Sequence, residues 1–238
     1  MSNPGNLTHF INKAMYYCWD ETHGYSQQYD GMGNPGFDCS GLIGRCLVES
    51  GFNYPIYHVG TMDMDDNPMS SLNALGNAGF SIIHVTDLNN IPPLMNGDII
   101  TMNSFLPDWS GNGGHAFIYA ENVTGYTSTM SGDSDSYPPT TGNVQHAKIE
   151  ASTYRSWHDY SDNSDNPNSA GACTQVWVHA FSTLIPSHYD PQDTNVHNYV
   201  TIARWGHPPT SDIFWLKRIR DGQFHNMNYA NKFMKKGI

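Results

Sequence analysis

Cys39 stands in the stretch GNPGFDCSGLIGRC, residues 33–46, where a glycine- and proline-containing loop gives way to an apolar helical pattern. A cysteine at a helix N-terminus faces backbone N–H groups that lack intrahelical partners, together with the positive end of the helix dipole. Both favour the thiolate, the form that attacks carbonyl carbon. Asp38 is a good N-cap, although its negative charge opposes ionisation of the thiol beside it, so a nucleophile in this place needs a further activating group. The competing reading is that Cys39 packs as a small apolar residue.

The activating group is sought in GNGGHAFIYA, where His115 follows a glycine-rich turn and opens an apolar strand. An imidazole at the mouth of a strand is placed to act as general base, but it can equally be a surface histidine. A third polar group would orient that imidazole by binding its other nitrogen. Glu150 and His146 lie four residues apart on the next expected strand, hence on one face, and an antiparallel neighbour can bring either level with His115. Each can also be an ordinary polar residue of the strand. Cys39, His115 and one of these two would together perform nucleophilic catalysis on an amide or ester carbonyl.

The elements that position them are readable in outline. Apolar residues at Leu7, Phe10, Ile11, Ala14, Met15 and Cys18 have the three-and-four spacing of an amphipathic helix over 6–19. Residues 20–36 form a polar, Gly- and Tyr-rich loop. A second helix runs from Ser40 through Leu42, Ile43, Cys46 and Leu47, stops at Gly51, and is kept from resuming by Pro55. SSLNALGNAGF reads as a short helix. Strands follow at FSIIHV, at 98–102, from His115, at VQHAKIEAS and at CTQVWVHAF. Two polar stretches, at about 125–145 and 159–171, read as surface insertions, and the clusters SDIFWLKRI and YANKFM suggest terminal helices. Helices first and strands after, joined by short connections, predict an α+β domain with an antiparallel sheet against the helix from Ser40.

Composition narrows the function classes. With 22 Asp and Glu against 11 Lys and Arg, the net charge of −11 disfavours nucleic acid and anionic membranes. No window is apolar enough for a membrane span, and the N-terminus lacks the pattern of a secretory signal. The four cysteines, Cys18, Cys39, Cys46 and Cys173, have no metal-ligand spacing and are read as free thiols, with Cys46 two helical turns past Cys39 as a core residue. The acidic runs DMDD, GDSDS and DYSDNSDN lack the calcium-loop pattern and read as solvated loops. The histidines show no HExxH motif, and His179, His188, His197 and His207 are scattered, so neither metal nor cofactor is expected.

Taken in order, GFDCSGLIGRCLVESGF, LMNGDIITM, GGHAFIYA and KIEAS resemble the successive blocks of the NlpC-type cell-wall cysteine peptidases and their relatives, the phage amidase and CHAP peptidoglycan hydrolases. The resemblance spans residues 25–152, and HGYSQQYDGMGNPGFDCSG is most similar to the phage type. It implies a papain-like core over 1–181, with N-terminal helices on a central antiparallel sheet, followed by a C-terminal extension over 182–238 packed on the same domain. It implies Cys39 as nucleophile, His115 as base and Glu150 as third residue, with His146 the alternate. Tyr25, Asp38 and Ser40 would lie on the substrate and oxyanion side. The implied substrate is peptidoglycan, cut at an amide bond of the stem peptide by a phage endolysin or tail-associated lysin. Phage tail proteins or a separate wall-binding component are the implied partners, and the virion tail, or the host cytoplasm before release, the implied location. The alternative is a structural tail or wall-binding protein that keeps the fold without catalysis; acyl transfer on another amide or ester would use the same residues.

Overall fold

The computed structural model describes residues 5–19, 24–25, 32–33, 36–126, 141–155, 174–180 and 185–206; within these, side chains at 18–19, 24–25, 112, 124–126, 141–144, 152–155 and 174–180 are not described. Among the described residues, four α-helices, α1 (Leu7–Trp19), α2 (Cys39–Glu49), α3 (Thr61–Met64) and α4 (Ala74–Asn77), accompany eight strands. The strands are β1 (Gly24–Tyr25), β2 (Gly36–Phe37), β3 (Ser81–Val85), β4 (Ile99–Phe105), β5 (Gly111–Tyr126), β6 (Thr141–Arg155), β7 (Thr174–Ala180) and β8 (His197–Arg204). They form one sheet in the order β2-β1-β7-β6-β5-β4-β8-β3, in which every neighbouring pair is antiparallel except β1 with β2. The class is α+β.

Local chemistry accounts for the helices that matter to the site. In α1, Leu7, Phe10, Ile11, Ala14 and Met15 are buried as their spacing predicts, and the Asn6 side chain accepts from the His9 N–H at 3.0 Å to close the first turn. Helix α2 begins at Asp38, whose extended backbone and carboxylate cap it. It ends with Gly51 at φ +80°, the left-handed conformation that follows a helix C-terminus and that glycine adopts without steric cost.

Both faces of the sheet are covered. On one, Leu42, Ile43, Cys46 and Leu47 of α2 pack with α1 residues on Ile99, Ala116, Ile118, Ala147 and Ile149. Each fully buried aliphatic side chain there contributes about 1.5–3 kcal/mol. On the other, Ile100, Met102, Phe117, Tyr119, Val200 and Ile202 form a second apolar cluster, overlaid by Leu88, Ile91, Leu94 and Tyr189. Strand β4 is buried along its whole length because it lies between these layers.

Three features differ from the sequence expectation. The segment from 182 is not merely packed on the domain as an extension: through β8 it supplies a strand between β4 and β3, and Trp205 beyond it packs on Phe52 and Phe80. HNYVTIAR is β-branched enough to fill that place, and its centre is buried. Strands β5 and β6 also run further than expected, pairing as far as Tyr126 with Thr141, so the insertion between them is shorter than 125–145; its remainder lies outside the described residues. The short helix α3 carries too few residues for a periodic signal. The second insertion, at 159–171, and the expected terminal helices also lie outside the described residues.

Candidate active site

Strand β2 delivers the chain into the mouth of α2. Tyr25 on β1 is level with Phe37, two residues before Cys39, so its backbone runs beside that mouth; its side chain is not described. Asp38 Oδ1 accepts from the Gly41 N–H at 2.6 Å and from Ser40 Oγ at 3.1 Å. The first helical hydrogen bond, from the Leu42 N–H to the Asp38 carbonyl, spans 3.0 Å. Cys39 is thereby held as the first helical residue, beside N–H groups with no intrahelical acceptor. It is 8% exposed, whereas Cys46 is fully buried and its thiol is pushed well up by that burial, the state of a core residue. Both are free thiols.

His115 is brought to the site by β5. Gly114, just before it, packs where a side chain would collide with Thr61 Oγ1 and Asn103 Oδ1, so the close approach of α3 to this strand requires glycine. The β5–β6 ladder aligns Ile118 with Ile149. One step further, that register sets Glu150 opposite Phe117, diagonal to His115 on the same face. The imidazole and carboxylate accordingly meet: His115 Nε2 lies 2.5 Å from Glu150 Oε2, with side chains 24% and 4% exposed.

The Cys39 side chain lies close enough to the same ring to raise the imidazole's pKa. Burial alone would pull the imidazole's pKa down, but the Glu150 charge and hydrogen bond, together with the nearby Cys39 side chain, outweigh it and push the pKa up to about 10. These neighbours favour the imidazolium form of His115. Lys148, next to Glu150 on this face, lies with its ammonium 4.6 Å from the Phe117 ring centroid; burial lowers its pKa and the Glu150 charge opposes that shift.

His146 is placed elsewhere. It is level with Glu121, not with His115, and its Nδ1 is 2.5 Å from the Tyr119 hydroxyl, which also donates to Glu121 Oε1 at 3.0 Å. Of the two candidates for the third residue, only Glu150 reaches the imidazole. Ser40 and Asp38 flank Cys39, and both also contact His58, which the sequence had not singled out: Nε2 is 2.8 Å from Asp38 Oδ2 and 3.2 Å from Ser40 Oγ.

The acidic run at 63–66 is divided among separate partners. Asp63 accepts from Ser71, Asp66 meets His84, and Asp65 is fully buried against Thr101, Thr201 and Asn67. The other two runs lie outside the described residues, among which no group of three or more His, Cys, Asp or Glu is arranged to hold a metal ion. His197 stacks on Trp109 with ring centroids 4.0 Å apart, and His188 lies against Tyr189. No helix among the described residues is long and apolar enough to cross a membrane. No family model matches the chain, and no curated protein matches it.

Proposed function

We propose that this chain is a cysteine hydrolase with a papain-like, NlpC-type core that cleaves an amide bond in the stem peptide of peptidoglycan, as an endopeptidase or an N-acetylmuramoyl-L-alanine amidase. The observation that carries the reading is one imidazole, His115, paired with buried Glu150 and close enough to Cys39, at the mouth of a helix, for that side chain to act on its pKa. The substrate class rests on the resemblance of the four sequence blocks around these residues.

Glu150 takes Nε2, which leaves Nδ1 as the nitrogen for the sulfur. An imidazolium held this way stores the nucleophile as a thiolate ion pair. The Cys39 sulfur attacks the amide carbonyl carbon, and the carbonyl π electrons move onto oxygen. The backbone N–H groups at the start of α2, with Tyr25 and the Asp38–Ser40 segment around them, form the surroundings of that oxyanion. His115 then gives its proton to the departing amine as the C–N bond breaks, leaving a thioester. Water, deprotonated by the now neutral imidazole, attacks the thioester and releases a carboxylic acid and the thiolate. Glu150 keeps the ring oriented and its charge compensated throughout.

A chain of net charge −11 acting on an anionic wall works against repulsion, which favours delivery by another component, a phage tail or a wall-binding partner. Residence in the virion tail, or in the host cytoplasm before release, follows from the same reading. The test is mass spectrometry of fragments released from several purified peptidoglycans. New amino termini or free lactyl carboxyls identify the bond, and their loss with a thiol alkylator but not with a chelator is expected. A chain that binds wall material and releases nothing is the structural alternative.

A further inference from the structure

Asp38 poses an electrostatic problem that Glu150 and His115 do not address. Its carboxylate caps the helix through the Gly41 N–H, yet it belongs to the residue immediately before the sulfur, and a negative charge there disfavours a thiolate. The two carboxylate oxygens are used differently. Oδ1 accepts from the Gly41 N–H and the Ser40 hydroxyl, while Oδ2 meets His58 Nε2 at 2.8 Å. Ser40 Oγ, 3.2 Å from the same nitrogen, has given its own proton to Asp38, so Nε2–H is the donor and both oxygens accept from it. His58 thus grips the residues on either side of Cys39. It comes from the connection between α2 and α3, which is joined here to the helix mouth; the residues before it, Ile56 and Tyr57, are 83% and 60% exposed.

We propose that His58 is a positioning residue of the Cys39 site: by engaging Asp38 Oδ2 it lets the helix keep its cap while drawing that carboxylate's charge away from the sulfur. The proposal rests on the cysteine-hydrolase reading above and deepens it. Two histidine–carboxylate pairs of different purpose then flank the nucleophile. His115, from β5 and backed by Glu150 and Lys148 of β6, faces the sulfur and supplies the proton. His58 faces Asp38 and removes an opposing charge.

The test is the pH dependence of iodoacetamide alkylation at Cys39, followed by peptide mass spectrometry in the full chain, which needs no knowledge of the substrate. Wild type, His58→Gln, His58→Ala, Asp38→Asn and the Asp38→Asn/His58→Gln double variant are compared, with thermal melts reporting folding. Gln retains an N–H donor toward Asp38 without a positive charge, and Asn retains the cap without a negative one. His58→Gln is expected to raise the alkylation midpoint by about one pH unit, roughly a tenfold loss of thiolate below it. In the Asp38→Asn background the same substitution should cause no further shift. An unchanged midpoint in His58→Gln, or an equal shift in both backgrounds, would overturn the proposal. A wild-type Cys39 that titrates like a free thiol, near pH 8.5, would instead remove the Cys–His reading and this inference with it.

Discussion

Glu150 Oε2 and His115 Nε2 lie 2.5 Å apart although the residues are 35 positions apart in the chain, and the carboxylate is all but buried beneath the ring. A pair so placed is coupled through little water. Removing one member leaves the other's charge uncompensated, an effect far larger than breaking an exposed ion pair.

Glu150→Gln should therefore lower kcat/KM by about 10–100-fold, as loss of a group that orients a functional histidine does. His146→Ala, on the Tyr119–Glu121 network away from the imidazole of His115, should stay within about twofold of wild type. Steady-state rates on one defined muropeptide check both. Equal losses would mean that the third residue has been misassigned.

The raised pKa of His115 also sets a pH window for stability. A group protonated more readily in the folded than in the unfolded state stabilises the fold fully below its unfolded value, 6.5. That contribution declines as pH rises and is gone above about 10. The melting-temperature gap between wild type and His115→Gln should accordingly be widest below pH 6.5 and close by pH 10. A gap that widens toward alkaline pH would contradict the ion-pair geometry.

At the helix mouth, Asp38→Ala removes the acceptor for the Gly41 N–H and should cost about 1 kcal/mol, whereas Asp38→Asn should cost only a few tenths. Urea midpoints of the two variants measure this directly.

Much of this arrangement was legible in the sequence, and the legible parts are local. Asp38 as cap, Cys39 at the helix mouth, the end of α2 at Gly51 and the core position of Cys46 depend on residues within a few turns of one another. The choice between Glu150 and His146 could not be made there. Both share a face of β6, and only the pairing of Ile118 with Ile149 decides which one is diagonal to His115. His58 belongs to no motif; its one signal is a histidine lying between Pro55 and Gly60, close enough in sequence to fold back on α2. The alternation in HNYVTIAR marks a strand, but its place between β4 and β3 is a matter of long-range pairing.

That placement makes β8 a structural part of the sheet. Arg204 Nε and Nη2 lie 3.0 and 2.6 Å from the two oxygens of Asp98, a carboxylate with only 2% of its side chain exposed. A chain ending at residue 181 loses β8, exposes β4 along one edge and strands Asp98 without its cation, a loss of about 3–5 kcal/mol from the pair alone. It should not yield a cooperatively melting protein by circular dichroism, while Arg204→Met in the full chain should fold with a lowered melting temperature.

The central claim, that Cys39 is the nucleophile of a peptidoglycan hydrolase, is tested most directly by release of free amino groups or lactyl carboxyls from purified peptidoglycan by wild type and Cys39→Ala, side by side, at matched folded concentration. The account predicts release by wild type, background release by the variant, and near-identical circular dichroism spectra. Release by Cys39→Ala at the wild-type rate would contradict it.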